Sequence, residues 1–139
     1  DLQVDNYYRS ISGKTIEELF GKWANMIADT EKIKRLKPNE LNSMIKELMM
    51  YGSSETVRIG AIFMQYLYRG EVEKHKDNPF FLLYLGSKLV AALKKDFTGY
   101  NVDPEDFIRM KIKDAYIGNK EQLLSEAKIE IERICKDGF

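Results

Sequence analysis

The chain has 139 residues, which fits one domain, since a single core usually takes roughly 100–200 residues. Its 22 basic and 22 acidic side chains cancel, so no overall field draws the protein onto nucleic acid or an anionic membrane. One cysteine, Cys135, excludes an internal disulfide and suits a reducing compartment, and one histidine, His75, leaves little from which to build a metal site.

Residues 1–12 carry neither the basic start nor the apolar run of a signal peptide. The chain opens at Asp1 rather than at methionine, so residues 1–139 are expected to be a single helical domain taken from a longer polypeptide. Thr15 and Glu18 form a capping box, in which hydroxyl and carboxylate satisfy the first free amides of a helix. Ile16, Leu19, Phe20, Trp23, Ile27 and Ile33 follow at helical spacing, which predicts an amphipathic helix ending near Leu36–Lys37, ahead of Pro38.

Pro38 suits the first turn of a second helix with Leu41, Met44, Ile45, Leu48 and Met49 on its apolar face. Gly52 is expected as its left-handed cap, and Ser53 or Ser54 as the start of a third helix reaching Arg69. That helix is apolar on most sides, which marks a central position, and Gly60 with Ala61 would admit a close neighbour. Gly70–Asp77 reads as a charged connector with a solvated His75.

Asn78-Pro79 opens a fourth helix, and Phe80–Leu93 is almost continuously apolar. A span needs about 20 apolar residues; this run is shorter, contains Lys88 and stops at Lys94-Lys95-Asp96, so it reads as a core helix. Gly99 can end it. Asp103 then caps a fifth helix, with Pro104 in its first turn and Glu105 and Asp106 at the positive end of its dipole. Gly118-Asn119 resets the chain for a last helix to about Lys136, with Leu123, Leu124, Ala127, Ile131 and Ile134 on one stripe. The predicted fold is an all-α, single-domain bundle of about six helices, with Trp23, Phe63, Leu67, Leu85, Leu89 and Leu93 buried.

No phosphate loop, dinucleotide fingerprint or metal-ligand spacing is present, and no cofactor is expected. The acidic pairs sit at helix starts and on polar faces, where capping and solubility account for them, so no enzyme is expected. Three groups of residues remain as candidates. Lys32, Lys34, Arg35 and Lys37 could contact an anion, or could complement the carboxyl end of the first helix. Glu55, Arg58, Lys94, Lys95, Asp96 and Asp114 stand at the margins of apolar helices, where charges pair across a bundle and fix how helices meet. Tyr66 and Tyr68 end the third helix and are candidate contacts of a weak homodimer, because aromatic residues bury large area while keeping a polar tip.

Two segments, Tyr51-Gly52-Ser53-Ser54-Glu55-Thr56-Val57 and Leu89–Asp114 with its Leu-Lys-Lys-Asp-Phe core, resemble an uncharacterised bacterial family of helical domains. The family pattern pairs a Tyr-Gly-Ser helix start with a Leu-Arg-Lys-Asp-Leu-Gly helix end and a later Ile-x-Asp motif, matched here by Ile112-Lys113-Asp114. Lys94 stands where the pattern has arginine, and Thr98 intervenes before Gly99. The resemblance implies a cytoplasmic domain, often behind membrane helices, and carries no catalytic residues.

The functional expectation is therefore a non-enzymatic intracellular domain for protein–protein contact or self-association, near a membrane only through a segment outside this chain. The alternative is a nucleic-acid or phage-related accessory protein that uses Lys32–Lys37.

Overall fold

The computed structural model describes residues 17–29, 32 and 35–139. Seven continuous helices and no strand occur among them: α1 (residues 17–28), α2 (Pro38–Tyr51), α3 (Ser54–Tyr68), α4 (Glu71–Lys74), α5 (Phe80–Thr98), α6 (Pro104–Lys111) and α7 (Lys120–Asp137). The all-α prediction holds. The helix beyond the expected six is α4, a single turn inside the stretch read as a plain connector.

Local chemistry sets most of the helix starts. The Ser53 hydroxyl accepts the Thr56 amide at α3, and Asp103 Oδ1 accepts the Glu105 amide at 2.9 Å at α6. Asn78 does more than cap: Oδ1 accepts the Phe80 amide at 3.1 Å, while Nδ2 donates to the Leu123 carbonyl at 2.8 Å, tying α5 to α7. Gly99 ends α5 with φ +80°, as expected of a left-handed cap. Gly52 does not adopt that conformation; it is extended, with φ −76°. Its need for glycine is spatial, because an added Cβ would lie 2.7 Å from the Leu48 carbonyl oxygen.

The centre of the bundle is α5, buried from Phe80 to Leu93 except for Leu82 and Lys88. It packs on α3, α6 and α7, while α3 also meets α2, α4 and α7. The apolar character of α3 is thus covered within the chain, although Ala61 and Tyr68 face solvent. Trp23, Phe63, Leu85, Leu89 and Leu93 are buried as predicted, whereas Leu67 is only half-buried. Trp23 meets Phe63 edge to face at 5.7 Å, which joins α1 to α3. Two glycines set close approaches: a Cβ at Gly60 would meet Leu48 Cδ2 at 2.4 Å, and one at Gly86 would meet Ile27 Cδ1 at 2.2 Å.

The first helix is shorter than its hydrophobic spacing implies. Asp29 is no longer helical, and the Lys111 ammonium donates to the Ile27 carbonyl at 3.2 Å and to the Ala28 carbonyl. A cation from α6 therefore takes the carbonyls that a continuing helix would use. The Thr15 cap and Ile33 lie outside the described residues.

Candidate binding groove

A groove of about 290 Å³ opens between α1 and α6, with α5 as its floor. Phe20, Ala24 and Ile27 line one wall, Phe107 and Met110 the other, and Leu83, Ser87 and Val90 the base. The walls exist because α1 and α6 each turn an apolar stripe onto the same face of α5 but do not close over it. Met110 stands on the rim with 85% of its surface exposed, the most exposed large apolar side chain among the described residues.

Two polar groups break this apolar lining. Ser87 is 1% exposed, and its hydroxyl has no hydrogen-bond partner among the described residues. Such an orphaned hydroxyl costs about 1–3 kcal/mol relative to a satisfied one. Lys111 sits at the mouth, held by the last carbonyls of α1; burial pulls its pKa below the ordinary lysine value, and the nearby Asp29 carboxylate opposes that shift. Neither residue stands out as functional in the sequence. The available signal is slight: Ser87 is a small polar residue set inside an otherwise apolar run.

The candidate network residues do not form one cluster. Asp96 Oδ2 accepts the Ser53 amide at 2.9 Å and the Thr56 hydroxyl at 2.6 Å, and Lys95 lies 3.6 Å from Glu55, so the end of α5 is latched to the start of α3. Arg58 instead donates to the Cys135 carbonyl on α7. Asp114 pairs with Lys120 at 2.6 Å, and that hydrogen bond holds its carboxyl below the usual range. The Lys94 carbonyl accepts the Thr98 hydroxyl at 2.7 Å, and its ammonium makes no ion pair among the described residues.

Tyr66 cannot be a contact of a dimer, because it is 1% exposed and its hydroxyl is buried without a partner among the described residues. Tyr68, two residues on and therefore on another side of the helix, is 68% exposed. His75 is not a simply solvated side chain: it stacks on Phe81 at 3.9 Å, and its Nε2 lies 3.5 Å from Glu71. Cys135 is half-buried, and burial pushes its thiol pKa up. Lys32, Arg35 and Lys37 are exposed, while Lys34 lies outside the described residues. With α1 ending at Ala28 these cations do not terminate it, and Lys37 is instead the residue that precedes α2, where a helix dipole disfavours positive charge.

Among the described residues no three His, Cys, Asp or Glu side chains are placed to hold a metal ion, and no helix is long and apolar enough to cross a membrane. No family model, curated protein or solved structure matches the chain.

Proposed function

We propose that this chain is a non-enzymatic interaction domain that self-associates weakly through the groove between α1 and α6. The observation that carries this reading is the position of Met110, a projecting apolar side chain on the rim of an apolar hollow. A two-fold contact requires a surface complementary to itself, and a knob beside a hole meets that requirement. Charge is mixed on both helices, since α1 exposes Glu17, Glu18 and Lys22 and Arg109 of α6 is paired with Glu105 and Asp106 of its own helix, so the pairing rests on the apolar surface. Methionine, arginine and aromatic side chains are enriched at such contacts, and the exposed Tyr116 accepts a hydrogen bond from Arg109, the neighbour of Met110 in sequence.

The same proposal includes an intracellular setting, supported by the single unpaired thiol. It includes kinship with the resembled bacterial domains, supported by Asp96 joining their two motifs in space.

Sedimentation velocity across the micromolar range tests it. A reversible dimer is expected, lost in Met110→Glu and retained in Tyr68→Ser. A monomer at all concentrations overturns the reading, and loss in Tyr68→Ser alone moves the contact to the end of α3. Contact with nucleic acid through Lys32, Arg35 and Lys37 would instead appear as duplex binding that weakens steeply with salt and disappears in Arg35→Glu.

A further inference from the structure

We propose that Met110 is an oxidation site, and that its conversion to the sulfoxide by a peroxide switches off the self-association of this chain. The selective oxidation rests on exposure alone; its effect on assembly rests on the self-association reading above.

Accessibility selects the residue. Of the six methionines, Met26, Met44 and Met64 are buried in the core, away from a dissolved oxidant. Met110 is the most exposed of the other three, ahead of Met49 and Met50. Its place differs as well, because Met49 and Met50 belong to α2, which lines no part of the groove. The one thiol competes poorly: Cys135 is half-buried, and burial holds it in the unreactive protonated form.

The reaction needs an exposed thioether and hydrogen peroxide. A sulfur lone pair of Met110 attacks one peroxide oxygen, and the S–O bond forms as the O–O bond breaks. The proton on the transferred oxygen passes to the departing hydroxide, which leaves as water. Sulfur loses two electrons and the peroxide gains them.

The product no longer suits the groove. A thioether is apolar and adaptable, whereas a sulfoxide carries an acceptor oxygen. The side chains that Met110 would enter among in a second copy, Phe20, Ala24, Ile27, Leu83 and Val90, have no donor for that oxygen. Lys111 at the mouth already donates to the Ile27 and Ala28 carbonyls. A polar group buried without a partner should weaken the contact by about tenfold or more. A two-fold contact contains Met110 twice, so a dimer of two oxidised chains should be weaker by about a hundredfold. A weak dimer exchanges through free chains, in which Met110 meets the oxidant, so each oxidised chain is withdrawn from assembly.

The experiment treats the full chain with dilute hydrogen peroxide at several protein concentrations. Peptide mass spectrometry follows each methionine, and sedimentation velocity follows assembly. Met110 is expected to oxidise faster than Met49 and Met50, and its rate alone should fall as the concentration enters the range where the dimer forms. The oxidised chain should sediment as a monomer with unchanged helical circular dichroism, and a methionine sulfoxide reductase should restore the dimer. Met110→Leu, which keeps an apolar knob without sulfur, should dimerise and stay dimeric after peroxide. Met49→Leu combined with Met50→Leu should lose the dimer as the unsubstituted chain does. Oxidation of Met110 no faster than that of the α2 pair overturns the site. A dimer that persists with Met110 fully oxidised, a Met110→Leu dimer that peroxide dissociates, or loss of helix on oxidation overturns the switch and leaves self-association standing. A reduced chain that is monomeric at every concentration removes self-association and the switch with it, and preferential oxidation of Met110 then stands alone.

Discussion

The Asp96 carboxylate, in the last turn of α5, accepts the Thr56 hydroxyl at 2.6 Å across forty residues of sequence. The same oxygen accepts the Ser53 amide, so one side chain supplies part of the cap of α3 from outside that helix. Thr56 is fully buried and Ser53 exposed, which places the bond at the edge of the core, where water competes poorly.

This latch predicts a measurable loss. Asp96→Ala should destabilise the domain by about 2 kcal/mol, because hydrogen bonds to a charged group contribute roughly 1.5–3 kcal/mol and the Thr56 hydroxyl is left behind. Asp96→Asn, which keeps a carbonyl acceptor, should recover much of that loss. Thr56→Val combined with Asp96→Ala should cost less than the sum of the two single changes. Urea denaturation midpoints check all three, and an unchanged Asp96→Ala midpoint would show that the bond does not hold in solution.

Asp103 performs the equivalent task locally at α6. Asp103→Ala is expected to cost about 0.5–2 kcal/mol through the lost acceptor for the Glu105 amide. Asp103→Ser should cost less, since a hydroxyl can fill the same role. The test is the shift in denaturation midpoint, read beside Asp106→Ala, which removes no capping bond.

Gly86 supports the floor of the groove by letting Ile27 lie against α5. Gly86→Ala gains about 1 kcal/mol of helix propensity but loses about 1–3 kcal/mol to overpacking, because the new Cβ would meet both Cδ1 and Cγ1 of Ile27. A net loss of about 1 kcal/mol is expected. Ile27→Val in the Gly86→Ala background removes the nearest atom and should return part of it. Thermal unfolding of the single and double variants decides the sign.

Burial raises the hydroxyl pKa of Tyr66 and Tyr84 well above the usual tyrosine range. The Glu71 carboxylate adds to the shift at Tyr66, and the hydrogen bond from Tyr84 to Glu132 adds to it at Tyr84. A folded-state pKa above the unfolded value means stability that is fully present below about pH 10 and is lost as the pH rises beyond it. Of the eight tyrosines, these two should stay protonated in the native protein and ionise only as it unfolds. Phenolate absorbance should therefore show a late step that coincides with the loss of helical circular dichroism. A titration in which all the tyrosines ionise before unfolding would contradict this.

The sequence by itself determined what local chemistry and periodicity can encode. Ser53 and Asp103 cap helices because an oxygen two or three residues ahead of an amide needs no help from the rest of the chain. The run from Phe80 to Leu93 became the core because so many adjacent apolar residues leave a helix no polar face to turn outward. Other features depend on residues that meet only when the helices pack. Lys111, more than eighty residues later, donates to the last carbonyls of α1 where that helix ends at Ala28, and no spacing within α1 carries that contact. Tyr66 is buried and Tyr68 exposed because α5 and its neighbours cover one side of α3 and not the other. The groove, with Met110 on its rim and Ser87 on its floor, is likewise the work of tertiary structure: it is space left between three helices, and a sequence specifies the surfaces that bound such a space without specifying whether they close.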